Sequence, residues 1–168
     1  MEAGLSPDER TRRIEQYATG TSRLRAAFDA VPDNARRWRP SPDEFSVHEI
    51  VCHCADSETN AHSRLRYLIA EDEPVIVGYD PMKWSTRFGY ADHPVEAALA
   101  TVAAVRANTV PLLRAFTDGD WSKAGTHTEQ GRYTTDDWLR IYSDHVEEHI
   151  AQIAATHAAW RAAGSPES

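Results

Sequence analysis

The sequence predicts an all-α fold. Four long segments space their apolar residues three and four apart, as one face of a helix does, and two of them open on complete capping signals. No segment shows the alternating β-branched pattern of a half-buried strand. At 168 residues the chain is long enough to bury its own core, so one domain spanning 1–168 is expected.

The first helix is announced by Ser6-Pro7-Asp8-Glu9, which joins a capping serine, a proline at the first helical position and a reciprocal glutamate. It is expected to reach about Val31, ahead of Pro32, with Ile14, Tyr17, Leu24 and Phe28 facing inward. After a connection rich in Pro and Trp, Ser46 and Glu49 form a second capping box, and Phe45 can staple onto Ile50. That helix is expected to persist to about Glu71, with an inner stripe of Ile50, His53, Cys54, Ser57, Ala61, Leu65 and Leu68.

Residues 72–93 form a connection much longer than the usual two to eight residues between bundle helices. A crossover between parallel neighbours would need that length, and so would a lid over a site. The third helix is expected from Pro94 to about Phe116, with Leu99, Val102, Val105, Leu112 and Leu113 inward and a kink or split at Pro111. A polar loop then leads to Tyr133. Thr134 or Thr135 caps a fourth helix running from about Asp136 to Ala163, whose inner stripe is Trp138, Ile141, Tyr142, His145, His149 and Ile153. The acidic tail Ser165 to Ser168 is expected to fray.

A net charge of −8 and a pI near 5.4 argue against a nucleic-acid groove or a face for anionic lipid, which need concentrated Lys and Arg. Met1 to Arg13 is polar and charged, unlike a signal peptide, and no apolar run approaches ~20 residues. A cytoplasmic protein acting on a small molecule is the expectation. Cys52 and Cys54, one residue apart on a helix, diverge too far for a disulfide and read as small buried hydrophobes.

The chemistry gathers in the fourth helix. In Asp-His-Val-Glu-Glu-His, residues 144–149, His145 and His149 stand four apart, so both imidazoles share one face and can point at one metal ion. His53, on the inner face of another helix, makes a third ligand available. Three protein ligands with one open position is the pattern of a catalytic metal centre. His-x-x-Glu-His also matches the inverted zinc-protease motif with Glu148 as general base, but such enzymes take a further acidic ligand well downstream and only 19 residues follow His149. Glu148, next to His149, and Asp56, one turn after His53, are the candidates for catalytic or supporting roles, although Glu148 and Asp144 also read as a solvated face. His48, in the first turn of the second helix, reads as surface; His62, His93 and His127 have no partner at metal spacing, and His157 lies too far along its helix.

These residues resemble the DinB/YfiT-like superfamily, and most of all its branch of metal-dependent hydrolases and bacillithiol transferases. The resemblance covers about Phe45 to Ile153. Phe-Ser-Val-His-Glu-Ile-Val-Cys-His-Cys-Ala-Asp-Ser-Glu-Thr-Asn around His53 carries it, followed by Arg64, Glu-Asp-Glu-Pro-Val-Ile-Val-Gly-Tyr-Asp before Trp84, Gly-Arg-Tyr-Thr-Thr, and Tyr-Ser-Asp-His-Val-Glu-Glu-His-Ile-Ala-Gln-Ile. It implies a four-helix bundle of up-down-down-up topology, a metal held by His53, His145 and His149, and a homodimer. Two departures stand out. Cys52 occupies a position where the family often has another histidine, and Glu148 with its neighbours replaces a more basic stretch.

The leading expectation is a divalent transition metal that activates a low-molecular-weight thiol, of the bacillithiol or mycothiol kind, for attack on an electrophile. Arg64 and Arg132 are candidate cationic anchors for such a thiol. Three imidazoles suit zinc, nickel, iron or copper, with zinc favoured by its abundance and lack of redox demand. A hydrolase with metal-bound water is the alternative. A non-catalytic bundle whose metal merely ties two helices is a third reading, and it requires a fourth protein ligand, for which Cys54 or Asp56 would serve.

Overall fold

The computed structural model describes residues 4–165. Four long helices form the bundle: α1 (Pro7–Asp29), α2 (Val47–Ala70), α4 (Val95–Ala115) and α6 (Thr135–Ala162). The caps fall where the sequence places them. Ser6 with Glu9, and Ser46 with Glu49, make reciprocal boxes, and Thr134 makes one with Asp137 at the start of α6. From Pro166 on, the tail for which the sequence predicts fraying lies outside the described residues.

Side-chain pairings give the direction of each helix. Along α2 and α4 the numbers rise together, His48 with His93, Glu58 with Arg106, His62 with Thr109, so these two helices are parallel. Arg10 with Asp136 and Arg13 with Asp144 make α1 and α6 parallel as well. By contrast α1 opposes α4, through Glu15 with Arg114 and Arg25 with Glu96, and α2 opposes α6, through Ser57 with His145 and Ala61 with Trp138. The topology is therefore up-down-down-up. The long connection from α2 to α4 is the crossover that a parallel pair requires.

Several expectations about the connections and faces change. Residues 72–93 contain a short strand, β1 (Val75–Ile76), and a helix, α3 (Pro81–Phe88), capped by Asp80 and ended by Gly89 at φ +63. The loop after α4 holds a one-turn helix, α5 (Asp118–Trp121), and a hairpin of β2 (Ala124–His127) and β3 (Gly131–Thr134). The fold is thus a helical bundle with a small sheet of order β1-β2-β3, where β1 runs parallel to β2 in the register Val75 to Thr126. The strands are too short to show alternation, and the pairing of β1 with β2 is non-local. At Gly125 a side chain would strike the Pro74 carbonyl oxygen, 2.5 Å from where its Cβ would sit, so β2 can approach the crossover only as glycine.

The inner face of α4 is turned by about one residue from the expected one. Val105 is half-buried and Leu112 exposed, whereas Arg106, Thr109 and Val110 are buried. The helix also runs on through Pro111. The carbonyl that the proline leaves unbonded belongs to Ala107, which is exposed and can be hydrated. On α6, Ile141 is exposed rather than inward; the rest of the predicted stripe is buried or half-buried.

The apolar core falls into two clusters. One holds Leu24, Phe28, Ile50, Val51, Val102, Val146 and Ile153; the other holds Ile14, Tyr17, Leu65, Leu68, Val110, Leu113, Trp138 and Tyr142. Between them, at the level of Gly20, Glu58 and Arg106, lies a buried polar layer. The Arg106 guanidinium donates to Glu58 Oε1 from Nε at 2.9 Å and from Nη2, and to the carbonyl oxygens of Tyr17 at 2.7 Å and Tyr142 at 3.2 Å. The Tyr17 hydroxyl donates to Glu58 Oε2 at 2.7 Å. All four long helices thus meet on one ion pair. A Cβ on Gly20 would stand 2.3 Å from Arg106 Nη1, so only glycine leaves room for it.

Removing one member of a buried pair strands the other charge. Glu58→Ala is expected to lower unfolding free energy by about 3–5 kcal/mol in urea titrations, while Glu58→Met combined with Arg106→Met recovers part of that loss. A loss below about 1 kcal/mol for the single variant would show that the layer is not a strong constraint.

Candidate metal centre

The antiparallel pairing of α2 and α6 decides which side chains meet. Ser57 lies opposite His145, and four residues back His53 lies opposite His149. Helical spacing then places the imidazoles of His145 and His149 on the same wall. The three rings converge: their centroids are 4.4 Å apart for His145 and His149, 4.8 Å for His53 and His149, and 5.3 Å for His53 and His145. One ligating atom from each lies within 4.8 Å of the others, with His53 buried and the other two half-buried. Among the described residues no cysteine or carboxylate joins this group.

The donor set fits a transition metal. Nε2 of His145 and Nε2 of His149 face each other at 3.2 Å. Two nitrogens each ~2.0–2.1 Å from a tetrahedral ion stand about 3.3–3.4 Å apart, so little movement is needed to share one. His149 Nδ1 lies 2.8 Å from Gln152 Oε1, an acceptor, which places the ring proton on Nδ1 and leaves Nε2 a lone pair. Nδ1 of His53 is buried with no protein partner, an orphan that an ion between the three rings could take up, whereas Nδ1 of His145, equally unpartnered, would stay so with an ion on its Nε2. Burial, with His149 close by, pushes the His53 imidazole down to about 3. Burial also holds His145 well below its ordinary value, and lowers His149 against the opposing hydrogen bond from Gln152. All three rings are therefore neutral at pH 7, the form that ligates.

The surroundings are hydroxylic and aromatic. Ser57 Oγ is 3.3 Å from His145 Nε2. Tyr79, from the crossover, lies near Ser57 and stacks on Trp84, with ring centroids 4.3 Å apart. Phe45 lies 5.7 Å from the His53 ring. Arg64 donates to the Tyr142 hydroxyl at 2.8 Å and to the Val77 carbonyl oxygen, with its guanidinium 5.8 Å from the Tyr79 ring. It joins α2, α6 and the crossover.

Other predicted residues lie elsewhere or do something else. Glu148 is exposed, because one residue of helix turns it ~100° away from His149. Asp56 is half-buried and accepts a hydrogen bond from the Tyr90 hydroxyl, one helical turn from His53. Arg132 is exposed on β3, in a cleft of about 820 Å³ lined also by Trp121, Asp136 and Arg140, which none of the three histidines borders. His48 is buried rather than on the surface, its Nε2 2.8 Å from the His93 carbonyl oxygen. Both cysteines are buried and unpaired with each other, and burial pushes the Cys52 thiol up to about 12 and Cys54 up as well, so neither is a thiolate at neutral pH. Sequence reasoning did not assign roles to Gln152, Ser57 and Tyr79. The spacing His149 to Gln152, three residues on one helix face, is the signal that could have found the first.

A family model for the DinB superfamily matches residues 16–153. The chain belongs to the DinB superfamily. A relative in Oceanobacillus iheyensis, OB0782, provisionally named a metal-dependent hydrolase, is 32% identical over 111 residues, which are 66% of this chain and 64% of that protein. The chain thus spans just under two thirds of that relative. YfiT of Bacillus subtilis, with the same provisional name, is 24% identical over 150 residues, 89% of this chain and 84% of its own. The solved YfiT structure, described as a four-helix bundle of unusual topology, matches with a TM-score of 0.87 at 23% identity, covering 99% of this chain and 94% of that one. The DinB bundle of this chain has the same fold. Among the described residues no helix is long and apolar enough to cross a membrane.

The Gln152 contact makes a testable demand of this DinB site. Gln152→Ala is expected to weaken zinc or nickel affinity about 10–100-fold in competition with a chromophoric chelator, because the His149 ring loses the partner that fixes its tautomer. Unchanged affinity would remove Gln152 from the account.

Proposed function

We propose that this chain is a metal-dependent S-transferase that joins a low-molecular-weight thiol, of the bacillithiol or mycothiol kind, to an electrophilic small molecule. The observation that carries the reading is a cluster of three neutral imidazoles with no fourth protein ligand among the described residues. His53, His145 and His149 would hold the ion. A divalent ion in such a site lowers the pKa of a sulfur or oxygen ligand and so presents its anion at neutral pH. Zinc is the first candidate for reasons of abundance, and nickel or iron suit the same ligands.

What the protein adds is selection and placement. No carboxylate belongs to the cluster to act as base toward a water, whereas Arg64, two turns along α2 from Ser57, has donors beyond those given to Tyr142 and Val77 and would serve as an anchor for an anionic thiol. The thiol gives its proton to solvent. Sulfur then bonds to the electrophilic carbon, and the leaving group departs with the bonding pair, so thiol and electrophile become thioether and acid. The aromatic wall of Phe45, Tyr79 and Trp84 supplies apolar surface for the electrophile.

Hydrolysis is the second reading. The names of the relatives favour it, and so does Asp56, whose carboxylate stands one turn from His53. The purely structural metal site is disfavoured because Cys54 and Asp56, the residues that would close the shell, lie outside the cluster.

The experiment uses protein purified without a histidine tag, loaded with zinc or nickel, and incubated with bacillithiol, mycothiol or cysteine and a bimane electrophile. Mass spectrometry is expected to show a thioether formed at least about tenfold faster than with metal-free protein, and no such gain in His149→Ala. Metal-dependent ester or amide cleavage with no thioether from any thiol would assign the hydrolase reading instead.

A further inference from the structure

Hydroxyl groups on α2 behave in two ways. Thr59 Oγ1 turns back to the Ala55 carbonyl oxygen at 2.8 Å and Ser63 Oγ to that of Thr59 at 3.3 Å, the usual local bond of such residues in a helix. Ser57 does not. Its side chain, 4% exposed, crosses to α6 and stands 3.3 Å from His145 Nε2, the same atom that faces His149 Nε2 at 3.2 Å. One imidazole nitrogen is thus approached by two polar partners, and it has a single lone pair or a single proton to offer.

A metal ion resolves the crowding in one direction. Once the lone pair of His145 Nε2 is given to an ion, it can no longer accept from Ser57, and the serine proton needs another acceptor. The nearest anion then available is whatever occupies the open position. Burial makes the surroundings poor in water that could compete.

We propose that Ser57 is the hydrogen-bond donor to the anionic ligand at the open position of the three-histidine centre, holding a thiolate or other small anion against the metal without itself ligating it. The proposal rests on the three-histidine reading of the site, and it applies whether the anion is sulfur or oxygen. It predicts that loss of the hydroxyl weakens anion binding and leaves metal binding in place.

Cobalt(II)-substituted protein separates these effects. 2-Mercaptoethanol, followed by its sulfur-to-cobalt charge-transfer band, and azide, followed by the visible cobalt bands, are titrated into wild type, Ser57→Ala and Ser57→Thr, and cobalt affinity is measured separately. Ser57→Ala is expected to bind both anions about tenfold more weakly, ~1.4 kcal/mol, with cobalt affinity within about threefold of wild type and Ser57→Thr restoring most of the loss. Anion affinity unchanged in Ser57→Ala overturns the proposal, and so does loss of cobalt, which would make Ser57 a ligand. Wild type that binds azide but no thiol fails the S-transferase reading while Ser57 is still judged on azide. Wild type that binds no cobalt overturns both.

Discussion

Arg106 has 1% of its side chain exposed and is paired with Glu58, which has none. A charge pair so deep is a demanding thing for a small bundle to hold. Desolvation of the two ions is repaid only if nearly every donor and acceptor finds a partner, and here the guanidinium also takes the carbonyl oxygens of Tyr17 and Tyr142, while Tyr17 completes the carboxylate. The layer therefore fixes the axial register of α1, α2, α4 and α6 together. A slip of one helical turn, ~5.4 Å, would leave both charges without partners.

That register is what makes the histidine cluster. Glu58 follows Ser57 in α2, and the Tyr142 carbonyl held by Arg106 is about two turns before His149 and less than one before His145. With both helices pinned at this level, His53 can only meet His149, and Ser57 can only meet His145. The crossover contributes from outside the bundle, since Arg64 ties the Val77 backbone to Tyr142 and stands against the Tyr79 ring. The candidate ligand His53, the buried Glu58 and the strap Arg64 thus follow one another within twelve residues of α2.

The sequence made the helices legible because their signals are local. Ser46 with Glu49 and the Pro7 start need only neighbouring residues to be understood, and both stand where read. The grouping of the three histidines was legible for a related reason, the four-residue spacing of His145 and His149 together with the inward phase of His53. Arg106 was hidden because an arginine in an apolar stripe reads as surface until its partner on another helix is known. That error turned the expected face of α4 toward Val105 and Leu112. The strands were hidden because Val75 and Thr126 pair only after the bundle has brought them together. His48 was misplaced for the same reason, its partner being the distant carbonyl of His93. Glu148 shows the converse, a residue next to a ligand in sequence that the helix turns to solvent.

The central claim is an open metal centre made of three imidazoles. A crystal structure of metal-loaded protein, with anomalous diffraction recorded on both sides of the metal's absorption edge, tests it most directly. The account predicts one ion bonded to Nε2 of His145, Nε2 of His149 and a nitrogen of His53 at ~2.0–2.1 Å, with a non-protein atom completing the shell. An ion closed by a fourth protein side chain, or anomalous density away from these three rings, would contradict it.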